Sequence, residues 1–138
     1  MTEMNIELKA VGLIRSTIFS GDDAPKQGYE GAQDAWLELN PAYVEGLQGL
    51  SVGLDIIVLT WLHEAQRDVL QIHPRGEEAR PLTGVFATRS PHRPNPLGLH
   101  RVTIRNIEQY RLRVGPIEAF DGTPVVDIKV ALTDMLDF

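Results

Sequence analysis

One segment of this chain differs from ordinary coil and reads Thr88-Arg89-Ser90-Pro91-His92-Arg93-Pro94-Asn95-Pro96-Leu97-Gly98-Leu99. An apolar run over Gly84–Ala87 precedes it, and a strand-like stretch over His100–Ile107 follows it. Each of its prolines fixes φ at about −65° and biases the preceding residue towards extended geometry, so the loop has few conformations to lose on folding. Gly98 allows another group to approach the backbone closely. A stiff loop that carries the guanidiniums of Arg89 and Arg93 is typical of a site for an anionic or polar ligand, and a proline-braced crossover with solvated arginines is the alternative.

Length and composition favour one folded domain over residues 1–138. The apolar content is ordinary, and no apolar run approaches the ~20 residues that a membrane-spanning helix needs. The first residues contain neither a basic head nor an apolar segment, so no secretory signal is visible. The chain has no cysteine, which excludes disulfides and thiolate metal sites, and cytoplasmic residence is expected.

Charge is distributed unevenly along an acidic chain. The net charge of −6 argues against nucleic-acid binding through bulk electrostatics alone. Between Arg75 and Arg105, however, six arginines accompany two glutamates, which leaves +4 there and −10 in the remainder. A basic face on an acidic body can still guide an RNA, with strong salt dependence. Arg101 and Arg105 are expected to be outward strand residues balanced by neighbouring carboxylates.

Short apolar and alternating runs predict many strands and one brief helix. Ile6–Ser16 is expected to be the first strand, and Thr17–Gln33 is expected to be a long loop or a flap. Asn40-Pro41 predicts the start of a short helix that ends at Leu47, because proline suits a first helical position. Further strands are expected at Ala35–Leu39, Leu54–Leu62, Asp68–His73, Gly84–Thr88, Leu99–Ile107, Arg111–Ile117 and Val125–Val130. In the first of these, Trp36 is expected on one face and Ala35, Leu37 and Leu39 on the other.

This pattern predicts an all-β fold, a barrel of short strands joined by turns. No glycine-rich strand–turn–helix fingerprint is present, and strands do not alternate with long helices, which argues against a doubly wound nucleotide-binding fold. The histidines show no paired ligand spacing, so no metal site is expected. They are His63, His73, His92 and His100.

The proline–arginine segment resembles the signature of the TsaA-like, or TrmO, family of tRNA methyltransferases, which reads approximately GxFATRSPxRPNPxGL. Gly84–Leu99 reproduces nearly all of that signature. Three further blocks agree in order and spacing, at Ala24–Gln27, Leu59–Glu64 and Asp121–Lys129. The resemblance therefore covers almost the whole chain, and it implies a single-sheet antiparallel β-barrel with one or two short helices.

The resemblance also implies S-adenosylmethionine as the cofactor and assigns its contacts. Arg89 would hold a polar part of the cofactor, Leu99 would pack against it, and His63 and Glu64 would contact it from the mouth of the preceding strand. The remaining contacts are expected at Pro25, Lys26, Gln27, Asp121, Gly122, Thr123 and Pro124. From the residues alone, Asp121-Gly122 predicts a tight turn, and His63 is better explained as a strand-end histidine bonded to backbone.

The reaction implied by the resemblance is transfer of the sulfonium methyl group to N6 of threonylcarbamoyladenosine, just 3′ of the anticodon of tRNA. Arg93 and Asn95 are expected to hold the incoming nucleotide, with Arg93 opposite the carboxylate of the modified base. The N6 lone pair is delocalised, so a proton acceptor would help. Asp121 and Glu64 are the candidates for it, and the sequence does not choose between them. The base is accessible because it lies in the single-stranded anticodon loop.

Departures from the family pattern leave two other functions open. Lys26 stands where the family more often has arginine, and Gly53-Leu54-Asp55 replaces the commoner Phe-Ser-His, with Asp55 expected in a turn. The chain resembles a short form without the small C-terminal domain of many bacterial members. The alternatives are a methyltransferase acting on a small molecule or another RNA, and a non-catalytic barrel that binds S-adenosylmethionine. A homodimer with apolar strand faces as its interface is also implied, without a membrane partner.

Overall fold

The computed structural model describes residues 1–19 and 33–132 of the chain. Its strands are β1 (Gly12–Arg15), β2 (Ala35–Leu39), β3 (Asp55–Trp61), β4 (Gln71–Ile72), β5 (Thr83–Gly84), β6 (Leu97–Glu108), β7 (Arg111–Gly115) and β8 (Pro124–Val130). Short 3-10 helices lie at Pro41–Leu47, Pro74–Gly76 and Val85–Ala87. The predicted all-β class is confirmed. Within the described residues, no helix is both long enough and apolar enough to cross a membrane.

Six strands close into one antiparallel barrel, in the order β1, β2, β7, β6, β3 and β8, with β8 returning to β1. The longest of them, β6, has 12 residues and pairs with β3 on one side and with β7 on the other. Closure satisfies the backbone hydrogen bonds that an open sheet would leave at its edges. The remaining two strands, β4 and β5, form a separate two-stranded sheet.

Alternate residues of the barrel strands face inward and form the core. In β2, the buried Ala35, Leu37 and Leu39 alternate with the half-buried Trp36, as the sequence predicts. The outward ring of Trp36 lies 4.2 Å from the guanidinium carbon of Arg111. Burial of the aliphatic inner face removes apolar surface from water and provides the main stabilising term of the barrel. Its fully buried members include Ile14, Leu37, Ile56, Val58, Ile104, Leu112, Val114 and Val125.

The predicted short helix is confirmed at Pro41–Leu47, in the 3-10 form. Asn40 caps it, because its Oδ1 accepts a hydrogen bond of 3.0 Å from the backbone N–H of Ala42. Pro41 occupies the first turn, where a missing N–H leaves no helical bond unmade. Leu47 packs against the barrel core, so the helix is attached by burial as well as by its cap.

The predicted first strand is wrong over its first half. β1 begins at Gly12, which pairs with Leu39, the last residue of β2. The chain beyond Leu39 turns into the capped helix, so the pairing of β1 with β2 ends there, and the residues before Gly12 lie outside the barrel strands. Ile6 and Leu8 are accordingly exposed rather than buried on one face.

Two other predicted strands are mostly wrong. Asp68–His73 retains strand geometry only at Gln71 and Ile72, which pair with β5. Gly84–Thr88 leaves the strand after its first residue and forms the 3-10 helix Val85–Ala87. Hydrogen bonds from the side chain of Arg93, described below, hold this turn and override the local strand preference.

Asp55 is the first residue of β3 and not, as expected, a turn residue. Its Oδ1 accepts a hydrogen bond of 2.7 Å from the Thr103 hydroxyl, and its Oδ2 lies 3.5 Å from Nη2 of Arg101. Arg105 lies 3.6 Å from Asp34 in the same way. The prediction that Arg101 and Arg105 are outward strand residues balanced by carboxylates is therefore confirmed.

Candidate functional site

The register of the strands places the end of β3 beside the starts of β6 and β8, at one mouth of the barrel. Thr60, near the end of β3, pairs with Gly98 at the start of β6 and with Val125 at the start of β8. The pairing of β3 with β6 continues beyond the strand, where the N–H of Leu62 donates to the carbonyl of Pro96 at 2.8 Å. The turn after β3, the loop before β6 and the loop before β8 therefore open on the same side.

A cleft of about 1170 Å³ occupies this mouth. Its described lining falls in the ranges 62–65, 88–93, 97–100 and 118–120, together with Leu59, Phe86, Asn95 and Thr123. Sites for one small ligand usually have roughly 300–1,000 Å³, so this cleft leaves room for a second group beside such a ligand.

Most of the described residues that the sequence singled out line this cleft. His63 and Glu64 form an exposed turn directly after β3, at the strand mouth where they were expected. Arg89 is exposed in the proline–arginine loop, and Leu99 on β6 keeps 45% of its surface exposed. Their binding roles stay predictions. The predicted contacts Pro25, Lys26 and Gln27 lie outside the described residues.

The guanidinium of Arg93 holds the loop in which it lies. Its Nη1 donates to the carbonyls of Thr88 at 3.2 Å and Ser90 at 3.0 Å, and its Nη2 donates to the carbonyl of Val85 at 3.0 Å. Charge-assisted hydrogen bonds of this kind are stronger than neutral ones. Arg93 therefore positions the segment that carries Arg89, in addition to the nucleotide contact predicted for it from sequence.

A second guanidinium, which the sequence analysis did not single out, braces the far side of the same loop. Arg67 lies 4.9 Å from the ring centre of Trp61 and donates to the carbonyl of Pro94 at 2.7 Å. It also donates to Oδ1 of Asn95 at 3.1 Å. This bond uses one lone pair of the amide oxygen, so the N–H donors of Asn95 are not engaged by it.

Asp121 and Gly122 form the predicted tight turn, in which Gly122 has φ of 83°. Oδ1 of Asp121 accepts a hydrogen bond of 3.1 Å from the backbone N–H of Ser16, and Oδ2 lies 3.8 Å from Nη1 of Arg15. Thr123 is buried, and its hydroxyl donates to the carbonyl of Phe120 at 2.7 Å. Of the predicted block, Thr123 belongs to the described cleft lining, whereas Asp121, Gly122 and Pro124 do not.

The inner wall of the cleft contains a buried polar pair. Oγ1 of Thr60 and Nε2 of His100 are joined by a hydrogen bond of 2.8 Å. Burial lowers the pKa of His100 to about 4, so the ring is neutral at neutral pH. A Cβ atom at Gly98 would overlap Oγ1 of Thr60 and lie 3.0 Å from Nε2 of His100. The predicted close approach at Gly98 is thus confirmed, with the Thr60 hydroxyl as the group that approaches.

Two further cleft residues were missed by the sequence analysis. Phe86 is 80% exposed on the turn before the proline–arginine loop, although its apolar run suggests a strand. Glu118 is partly buried in the loop before β8, and burial raises the pKa of its carboxyl group. Among the described residues, none donates a hydrogen bond to that carboxylate or pairs with it. Phe86 lies inside the quoted signature and could have been considered there, whereas no local pattern marks Glu118.

Comparisons with known proteins agree on one family. The family model of the tRNA-methyltransferase O N-terminal domain matches residues 13–136. A probable S-adenosyl-L-methionine-binding protein of Methanothermobacter thermautotrophicus is 41% identical over 135 residues, which cover 98% of this chain and 96% of that protein. An S-adenosyl-L-methionine-binding protein of Archaeoglobus fulgidus is 42% identical, over 88% of this chain and 86% of its own.

Solved structures give the same result. The crystal structure of TrmO from Pseudomonas aeruginosa superimposes with a TM-score of 0.75 and 32% sequence identity, and the match covers 98% of this chain. The match covers 61% of the length of that solved chain. The chain therefore spans about three fifths of this structural relative.

Proposed function

The chain belongs to the family of the tRNA-methyltransferase O N-terminal domain, and on this premise we propose that it is an S-adenosylmethionine-dependent methyltransferase that modifies tRNA. The proposed acceptor is N6 of threonylcarbamoyladenosine, just 3′ of the anticodon. One barrel domain, residues 1–138, would carry both binding and chemistry. The observation that carries the proposal is the cleft onto which the turn after β3, the proline–arginine loop and the loop before β8 all open.

The residues of the cleft fit the chemical groups of S-adenosylmethionine. Its carboxylate suits the forked donors of Arg89, and its positive sulfonium suits an environment that contains the carboxylates of Glu64 and Glu118. The neutral ring of His100 adds no opposing positive charge at neutral pH. Leu99 offers an apolar surface for the uncharged parts of the cofactor. When bound, the cofactor supplies an electrophilic methyl group, and the protein has to align the acceptor with it and exclude water.

An exposed aromatic residue supports a nucleobase as the acceptor. Phe86 presents 80% of its surface at the cleft, on a turn that is held by the guanidinium of Arg93. A large exposed aromatic side chain on a braced turn suits stacking with an unpaired base, since every base has a π face. Asn95 belongs to the same lining, and its side-chain amide suits the polar groups of a modified nucleotide. These features favour an RNA loop over a small acceptor without a stacking surface.

The proposed cellular location follows from the proposed substrate. An enzyme that modifies tRNA would act in the cytoplasm, where its substrate is found. We also propose a homodimer in which apolar strand faces form the interface. Exposed apolar residues that adjoin one another favour contact with a partner over contact with water.

The test is transfer of labelled methyl from S-adenosylmethionine to total tRNA that lacks N6-methylated threonylcarbamoyladenosine. Nucleoside mass analysis is expected to detect the methylated nucleoside only when the protein and the cofactor are both present. Binding of the cofactor alone is measured by calorimetry. Tight binding without any transfer to tRNA would contradict the proposed substrate and favour another acceptor or a non-catalytic binding barrel.

A further inference from the structure

Three carboxylates near the mouth of the barrel differ in what surrounds them. Asp121 is engaged away from the cleft, because its oxygens meet the N–H of Ser16 at 3.1 Å and the guanidinium of Arg15 at 3.8 Å. It does not belong to the described cleft lining. Proton acceptance by Asp121 would weaken its hold on β1, so its environment suits a structural anchor better than a base.

Glu64 lines the cleft but lies at its rim. It is exposed in the turn that follows β3. Water therefore solvates its carboxylate and competes with a bound substrate for hydrogen bonds to it. Its exposed position suits attraction of the cationic cofactor more than proton transfer in a site that excludes water.

Glu118 combines the properties that the other two lack. It lines the cleft from the loop before β8, it is partly buried, and no described residue donates a hydrogen bond to its carboxylate or pairs with it. Loss of hydration without a compensating partner makes a carboxylate more basic, and burial does raise the pKa of this group. A carboxylate of raised pKa that lines the ligand space and has no partner among the described residues can accept a proton from a bound acceptor.

We propose that Glu118 is the catalytic base that removes the N6 proton of the acceptor nucleoside, an inference that rests on the proposed function. In this step the N6 lone pair forms the new bond to the methyl carbon while the carbon–sulfur bond breaks, and the electrons of that bond stay on sulfur. The N6 proton passes to a carboxylate oxygen of Glu118. Water then removes the proton from Glu118 and restores the carboxylate.

The experiment compares Glu118→Gln and Glu118→Asp with the wild-type protein. Glu108→Gln is the matched control, because Glu108 is an exposed glutamate at the opposite end of β6 that pairs with Arg111 on the surface. The rate of a single methyl-transfer turnover on tRNA is measured at saturating S-adenosylmethionine over a range of pH. The dissociation constant of the cofactor is measured separately by calorimetry.

Glu118→Gln is expected to slow transfer by about 100-fold or more, the range typical of a lost general base, and to weaken cofactor binding far less. The wild-type rate should fall as the pH is lowered through the raised pKa of Glu118, because a protonated carboxyl cannot accept the proton. This pH dependence should be absent in Glu118→Gln. In Glu118→Asp, the pH at which the rate falls should differ from that of the wild type. Glu108→Gln should have the transfer rate, the pH dependence and the cofactor affinity of the wild type.

Four results would overturn the inference. Transfer by Glu118→Gln at the rate of Glu108→Gln would remove Glu118 from the chemistry while leaving the proposed function intact. Equal losses in rate and in cofactor affinity would assign Glu118 to cofactor binding instead. If Glu118→Gln fails to fold, as judged by circular dichroism, an unmoved pH profile in Glu118→Asp overturns it. If the wild-type protein methylates no tRNA, the proposed function and this inference are both refuted. That outcome differs from the first three, in which the wild type is active and only the role of Glu118 is rejected.

Discussion

The buried hydrogen bond between His100 and Thr60 should make the free energy of unfolding depend on pH between about 6.5 and 4. Burial lowers the pKa of His100 from 6.5 to about 4 in the folded chain. As pH falls, the unfolded chain therefore binds a proton at His100 before the folded chain does. The stability contributed by the neutral ring is complete above pH 6.5 and is lost as the pH falls through 4.

The size of this loss follows from the two pKa values. Each unit of pKa difference corresponds to ~1.4 kcal/mol, so the shift at His100 amounts to at most about 3 kcal/mol at pH 4. It is an upper bound because the ring borders the open cleft and retains some contact with water. A loss of this size is a large fraction of the ~5–15 kcal/mol by which native proteins are usually stable.

Urea unfolding at pH 7 and pH 4 checks this value against the variant His100→Gln. Glutamine can still form a hydrogen bond with Thr60 but cannot take up a proton in this range. Carboxylates titrate in both proteins, so their contribution cancels when the two pH-induced losses are subtracted. The wild type is expected to lose up to about 3 kcal/mol more than the variant. Equal losses, or an imidazole that titrates near 6.5 in NMR spectra of the folded protein, would refute the reasoning.

Three substitutions test other parts of the cleft. Arg89→Ala should weaken binding of S-adenosylmethionine by about 1.5–3 kcal/mol in calorimetry, whereas Arg80→Ala, which removes a surface arginine paired with Glu77, should not; equal affinities would reject the assigned role. Phe86→Ala should raise KM for tRNA by the equivalent of about 1–3 kcal/mol of base stacking at unchanged cofactor affinity, and an unchanged KM would remove Phe86 from the RNA site. Gly98→Ala should destabilise the fold by about 1–3 kcal/mol in urea unfolding because its Cβ meets the Thr60 hydroxyl, and wild-type stability would show that the strands can separate there.

Local chemistry in the sequence was sufficient to predict many elements of the barrel. The alternation of Ala35, Leu37 and Leu39 predicted β2 with its inner face, and Asn40-Pro41 predicted the helix start, because each depends on residues within one element. Gly98 predicted that another group lies close to the backbone there, but the sequence did not show that this group is the Thr60 hydroxyl. The proline–arginine loop also led to the family, since its motif is long and contiguous.

Strand pairing decided what local patterns could not. The ladder between β1 and β2 ends at the pair Gly12–Leu39, and the alternating run upstream of Gly12 remained outside the barrel strands. The side-chain bonds of Arg93 turned a predicted strand at Val85 into a 3-10 helix. The register of β1 joins residues far apart in sequence, and the bonds of Arg93 depend on side-chain geometry, so hydrophobic periodicity reports neither.

The sequence by itself determined the all-β class, the stiff cationic loop and several of the residues that line the cleft. Only the tertiary structure showed that Asp121 anchors β1 at Ser16, that Arg93 braces its own loop, and that Glu118 joins Arg89 in one cleft. The physical reason is that these arrangements follow from barrel register, which pairs the end of β3 with the starts of β6 and β8 across long sequence separations. Periodicity reports which face of a strand is buried, but it does not report which distant strand lies beside it.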